Sequence, residues 1–192
     1  MKRALISVHD KTGIVDFAKE LNKLRFRIIS TGGTLTTLEE NGVSNIKHVS
    51  EVTGFPEILE GRIKTLHPKM LAGIFAIRNN KAHMKELENF QISPVDLVVC
   101  NLYPFEKVTK EGATLKTALE NVDIGGPTMI RAAAKNFENV VVVVNPQRYT
   151  QVLEEYKNNG DVTAKTRKAL AGEAFKETSR YDSVIWEFLE KI

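Results

Sequence analysis

The sequence predicts a three-layer α/β domain, with a mostly parallel central sheet covered by helices on both faces. Three observations carry that prediction. Short apolar runs at 3–8, 26–30 and 46–49 alternate with helix-period segments, which is the rhythm of β-loop-α units. Two further runs, Val95–Leu102 and Val140–Val144, are apolar enough to be strands buried on both faces. Polar loops containing glycine or proline follow several of these strands, at the sheet end where open α/β folds bind ligands.

Taken in order, Arg3–Val8 is the first strand, and His9-Asp-Lys-Thr-Gly13 follows it as a loop. Ile14, Phe17, Ala18, Leu21 and Leu24 recur at helical spacing, an apolar stripe for the sheet. Phe26–Ser30 is the second strand. Thr31-Gly-Gly-Thr34 turns it into a helix that stops near Gly42, and a third short strand spans Ile46–Val49. Gly54 to Pro68 shows little periodicity and reads as a long irregular segment, the kind of ordered loop that tends to carry function. Met70–Ile77 and Met84–Phe90 read as short helices around the polar connection Arg78-Asn-Asn-Lys81. Val95–Leu102 is the strongest strand signal and leaves Asn101 and Tyr103 at its C-terminal end.

The most informative run is Asn121-Val-Asp-Ile-Gly-Gly-Pro-Thr-Met-Ile-Arg-Ala-Ala-Ala-Lys135. Gly125 and Gly126 permit a tight backbone, and Pro127 suits a first helical position, so Thr128–Lys135 is predicted to be helix. Val140–Val144 should be a central strand, ended by Asn145-Pro146. Tyr149–Asn158 is a helix closed by Gly160. Ala164–Leu189 is helical, with Leu170, Ala174, Phe175, Tyr181, Ile185 and Phe188 supplying apolar surface.

A chain of 192 residues fits one domain able to bury a real core. A hydrophobic content of 42% and a charged content of 27% are those of a water-soluble globular protein, for which a cytoplasmic home is expected. Net charge is only +3, with acidic and basic residues interspersed, which argues against a nucleic-acid binder and favours a small anionic ligand. Cys100 is the sole cysteine, so no intrachain disulfide forms. The first apolar run is too short to span a membrane. His9, His48, His67 and His83 lack zinc-ligand spacing, and no metal or cofactor is expected.

Three loops hold the polar groups that need explaining. In Thr31-Gly-Gly-Thr34 the glycines let backbone N–H groups face a ligand, the hydroxyls add donors, and the following helix offers its positive end. With Lys11 on the neighbouring loop, a phosphate fits there. Gly61-Arg-Ile-Lys-Thr-Leu-His-Pro68 packs Arg62, Lys64, Thr65 and His67 together, with Ile63 and Leu66 flanking the Lys64 amine. Asp123, ahead of two glycines and a helix bearing Arg131 and Lys135, adds a carboxylate and further N–H donors.

These runs, with Ser7-Val-His-Asp-Lys-Thr-Gly13 and Cys100-Asn-Leu-Tyr-Pro104, resemble the IMP cyclohydrolase domain of the bifunctional AICAR transformylase/IMP cyclohydrolase family, which has a methylglyoxal synthase-like fold. Five motifs in the family's order span nearly the whole chain. The resemblance implies dehydrative closure of 5-formyl-AICAR (FAICAR) to IMP, without metal or cofactor. It also implies a homodimer, and a following transformylase domain for which this chain is too short.

By resemblance Lys135 has a proton-transfer role, and Tyr103 and Asp123 sit at the active site. Lys64 would stabilise the developing oxyanion, and two neighbouring lysines would each lower the other's pKa, as a lysine acting as acid or base requires. The nucleotide phosphate is expected on Lys11 and the loop of Thr31, Gly32, Gly33 and Thr34, helped by Ser7. Arg62, Thr65, Cys100, Asn101, Ile124 and Gly125 match positions lining the nucleotide pocket, with His9, Asp10, Ile63 and Gly126 beside them in the same motifs. Two positions depart from most relatives: His9 replaces a serine, and Leu71 replaces a histidine found in many. A nucleotide-binding regulatory module of the same fold, without catalysis, is the alternative, and a methylglyoxal synthase ranks third.

Overall fold

A computed structural model describes residues 1–110, 112 and 114–191. Five parallel strands form one sheet in the order β3-β2-β1-β4-β5. They are β1 (Arg3–Val8), β2 (Arg27–Ser30), β3 (Ile46–His48), β4 (Leu97–Asn101) and β5 (Val141–Val143). The helices between them are α1 (Ile14–Lys23), α2 (Gly32–Glu40), α3 (Val49–Thr53), α4 (Pro68–Phe75) and α5 (Lys81–Asn89). Beyond β4 come α6 (Phe105–Lys110), α7 (Leu115–Glu120), α8 (Gly125–Lys135), α9 (Tyr149–Asn159) and α10 (Ala164–Leu189).

Each face of the sheet has its own core, as parallel strands covered on both sides require. Alternate β1 residues Ala4, Ile6 and Val8 pack with Ile14, Phe17 and Leu21 of α1, Leu38 of α2 and Val152 of α9. Leu5, Val98 and Val142 face the other way, toward Met70 and Ile74 of α4 and Met129, Ile130 and Ala133 of α8. Phe17 and Tyr149 stack at 4.3 Å in the first layer. Ala132, Ala133 and Ala134, all buried, keep α8 close to the strands.

The structure corrects four expectations. The Val140–Val144 tract is an edge strand, not a central one. It is apolar because α10 runs alongside it, sending Leu170 into one core and Ala171 and Ala174 into the other. The central helix begins at Gly125, two residues before Pro127, with Ile124 at its N-cap. The fifth helix starts at Lys81, where the Asn80 side chain accepts the N–H groups of Ala82 and His83. Two short helices, α6 and α7, fill a stretch where the pattern predicted no element.

Candidate functional site

The register brings the C-terminal ends of the strands level. Ser7 pairs with Cys100, Val8 with Asn101, and Ser30 with His48. Over this edge the N-termini of α2 and α8 both open, and residues 54–67 lie across it.

At α2, Thr31 is the N-cap and Gly32, at φ 54°, begins the helix. The N–H groups of Gly32, Gly33 and Thr34 have no intrahelical partner. The hydroxyls are not the expected free donors. Thr34 Oγ1 donates to the Val8 carbonyl at 2.9 Å and accepts the Val8 N–H at 3.0 Å, tying α2 to β1. Thr31 donates to Glu57. An anion at this loop therefore meets backbone N–H groups and a lysine. The lysine is Lys64: a Cβ added at Gly32 would stand 3.3 Å from its Nζ.

At α8, Asp123 Oδ1 accepts the Gly126 N–H at 2.8 Å. Burial pushes the Asp123 carboxyl above the usual carboxylate range, against the opposing pull of the Gly126 N–H and the charge of Lys64. The loop is built around its glycines. A Cβ at Gly126 would lie 2.5 Å from Asp123 Oδ2 and 2.7 Å from Leu102 Cδ2, and one at Gly125 would be 3.0 Å from Thr65 Oγ1. Lys64 and Thr65 thus bridge the two helix N-termini, Lys64 toward α2 and Thr65 toward α8.

The β1 loop is held from β4. Asn101 Oδ1 accepts the N–H groups of His9 and Asp10 at 2.7 and 2.9 Å, and its Nδ2 donates to the Asp10 carbonyl at 2.9 Å. Asp10 turns back to accept from the Thr12 N–H and hydroxyl, and those bonds hold its carboxyl below the ordinary value. Lys11 is exposed, its Nζ 3.4 Å from the His9 carbonyl. The His9 ring lies 4.7 Å from that of Tyr103, which is half exposed. Cys100 is buried, and burial with the Asp123 charge pushes its thiol strongly up, so it is a wall and not a nucleophile. Arg62 pairs with Glu120 of α7, and Ile63 pairs with Ile58.

Lys135 stands at the opposite end of α8 from the glycine loop. It ends α8, ten residues beyond Gly125 and so about 15 Å along the axis. Its Nζ lies 5.9 Å from the centre of the Phe75 ring. It and Asp123 border one groove of about 580 Å³, with Ile124, Arg131, Phe175 and Ile185.

Sequence reasoning missed three contributors. Tyr181 of α10, read only as apolar surface, accepts the Asp123 N–H on its hydroxyl at 2.8 Å. Glu57, from the 54–67 segment, accepts from Thr31, and His48, at the end of β3, lies against Glu57. A tyrosine at helical spacing and a glutamate in an aperiodic loop give no signal in one sequence. Among the described residues no group of three or more histidine, cysteine or acidic side chains is arranged to hold a metal ion, and no helix is long and apolar enough to cross a membrane.

Comparison with known proteins agrees with the fold. A family model described as "MGS-like domain" matches residues 13–128, and one described as "AICARFT/IMPCHase bienzyme" matches residues 133–192. The chain is 55% identical over 192 residues to the bifunctional purine biosynthesis protein PurH of Acetivibrio thermocellus. It is 50% identical over 193 residues to the PurH of Bacillus subtilis. All of the chain is covered in both, but it spans only 37% and 38% of the length of those relatives. The crystal structure of ForH superposes with a TM-score of 0.84 at 32% identity, covering 98% of each chain. On sequence and fold together, this chain belongs to the MGS-like domain family, in the form that makes up the IMP cyclohydrolase part of PurH-like proteins.

Proposed function

We propose that this chain closes the purine ring of FAICAR to give IMP and water. The observation that carries the reading is the position of Lys64: its ammonium lies on the Gly32 backbone and its charge is felt by Asp123. One cation thereby joins an anion-binding helix N-terminus to a half-buried carboxylate.

The reaction needs both arms of one molecule held close, protons moved, and charge on the formyl oxygen stabilised. The carboxamide nitrogen bonds to the formyl carbon and gives up a proton. The formyl oxygen then leaves as water, taking up that proton and one from the formamide nitrogen. Asp123, a stronger base than an ordinary carboxylate, accepts from the attacking N–H. Lys64 donates to the formyl oxygen as it becomes anionic. The N–H groups of Gly32, Gly33 and Thr34 take the nucleotide phosphate, with Lys11 at the rim. Tyr103, beside His9, orients the substrate. Lys135 keeps the proton-transfer role that the resemblance gives it, working from the far end of the α8 groove. A homodimer and a following transformylase region belong to the same reading.

Turnover of FAICAR followed by ultraviolet absorbance, without folate and with chelator present, tests it. IMP formation by the wild type that falls at least about a hundredfold in Lys64→Ala is expected, since both charge stabilisation and positioning are lost. Tight IMP binding with no turnover would instead favour a nucleotide-binding module.

A further inference from the structure

Between α3 and Pro68 the chain builds a small clip. Ile58 and Ile63 exchange backbone hydrogen bonds of 3.3 and 3.4 Å as an antiparallel pair. Leu59, Glu60 and Gly61 turn the chain between them at φ 52°, 55° and 85°. The two residues that flank this pair, Glu57 and Lys64, reach adjacent residues of the α2 loop. Glu57 accepts from the Thr31 hydroxyl, and Lys64 lies over Gly32.

The same Glu57 oxygen is 3.2 Å from His48 Nε2. The tautomer of His48 is fixed from its other side, because Nδ1 accepts the Ser50 N–H at 3.0 Å to cap α3. The ring proton therefore sits on Nε2, the nitrogen within ion-pair distance of Glu57. The Thr31 hydroxyl at the N-cap of α2 and the His48 ring at the end of β3 thus meet one carboxylate oxygen.

We propose that Glu57 is a positioning residue that clips the 54–67 segment to the N-terminus of α2, so that Lys64 is held in place beside the Gly32–Gly33 backbone. What Lys64 and the α2 loop bind rests on the cyclohydrolase reading; the clip does not. A second consequence concerns Thr31. A hydroxyl has one proton, and this one is given to Glu57. Thr31 therefore acts through the carboxylate and not as a direct donor to the nucleotide phosphate.

The test is a double-mutant cycle on the KM for FAICAR, joined to amide hydrogen exchange of residues 58–66 in the ligand-free protein. Losing a hydrogen bond to a charged group corresponds to a rise in KM of about tenfold for Glu57→Ala, with a smaller change in kcat. Thr31→Val should have a similar effect, and the double variant should be no worse than either single one. Glu57→Gln should recover part of the loss, since its amide oxygen still accepts the Thr31 hydroxyl. Exchange across 58–66 should accelerate in Glu57→Ala and much less in Glu57→Gln. Two results overturn the proposal: additive effects of Thr31→Val and Glu57→Ala, which make Thr31 an independent ligand donor, or unchanged exchange in Glu57→Ala. If the wild type does not turn over FAICAR, the cyclohydrolase reading fails and the exchange experiment alone decides the clip.

Discussion

Asp123 is both an anchor for its loop and the proposed base, and the two roles pull on its proton differently. The Gly126 N–H bond and Lys64 favour the carboxylate, while burial favours the acid and prevails. Because the folded-state value is raised, the folded protein holds this proton more tightly than the unfolded chain does. That stability is present at low pH and is lost as pH rises through the folded-state value. Asp123→Asn, which keeps an oxygen for Gly126, should therefore melt higher than the wild type at pH 7. The gap should narrow as pH falls through the raised value, and turnover should be lost throughout. Thermal melts across pH 4–8, with absorbance assays alongside, check both halves. Gly126 gives a second prediction at this scale. Its added methyl would meet Asp123 Oδ2 and Leu102 together, so Gly126→Ala must displace the carboxylate. A displacement of about 1 Å costs on the order of a hundredfold in turnover. Near-normal kcat in a folded Gly126→Ala would show that the position of Asp123 is not critical.

Among the elements, α10 has two tasks. It closes the β5 edge, and it supplies the Tyr181 hydroxyl to the Asp123 N–H. Tyr181→Phe leaves that N–H without its acceptor in a partly buried place, so a loss of about 1–3 kcal/mol in urea unfolding is expected. The α1, α2, β1 and β2 units were legible because their apolar periods switch cleanly between strand and helix, and the terminal helix was found to its ends. The position of β5 was not. A valine tract reports burial on both faces, and a helix along the edge buries it as well as a neighbouring strand would. The site was legible to the same degree. The glycine loops and Lys64 announced themselves through backbone chemistry. The commitments of Thr31 to Glu57 and Thr34 to Val8 depend on contacts 26 residues apart, which spacing cannot reveal. Lys135 shows the converse: close to Asp123 in sequence, it is carried away by the rise of α8.

For the molecule as a whole, two helix N-termini, one half-buried carboxylate and one lysine converge on a single sheet edge, in a chain whose net charge is only +3. That arrangement suits a small anion that must be both held and protonated or deprotonated. Because Lys64 touches the anion-binding loop and Lys135 does not, the two lysines should separate kinetically. Lys64→Ala should raise KM and lower kcat, and Lys135→Ala should lower kcat with KM unchanged. The most direct measurement is the ultraviolet progress curve of FAICAR conversion by wild type and Lys64→Ala, with circular dichroism confirming that both are folded. The account predicts IMP formation that falls at least about a hundredfold in the variant. Equal rates in the two proteins would contradict it, and place the chemistry away from the α2–α8 edge.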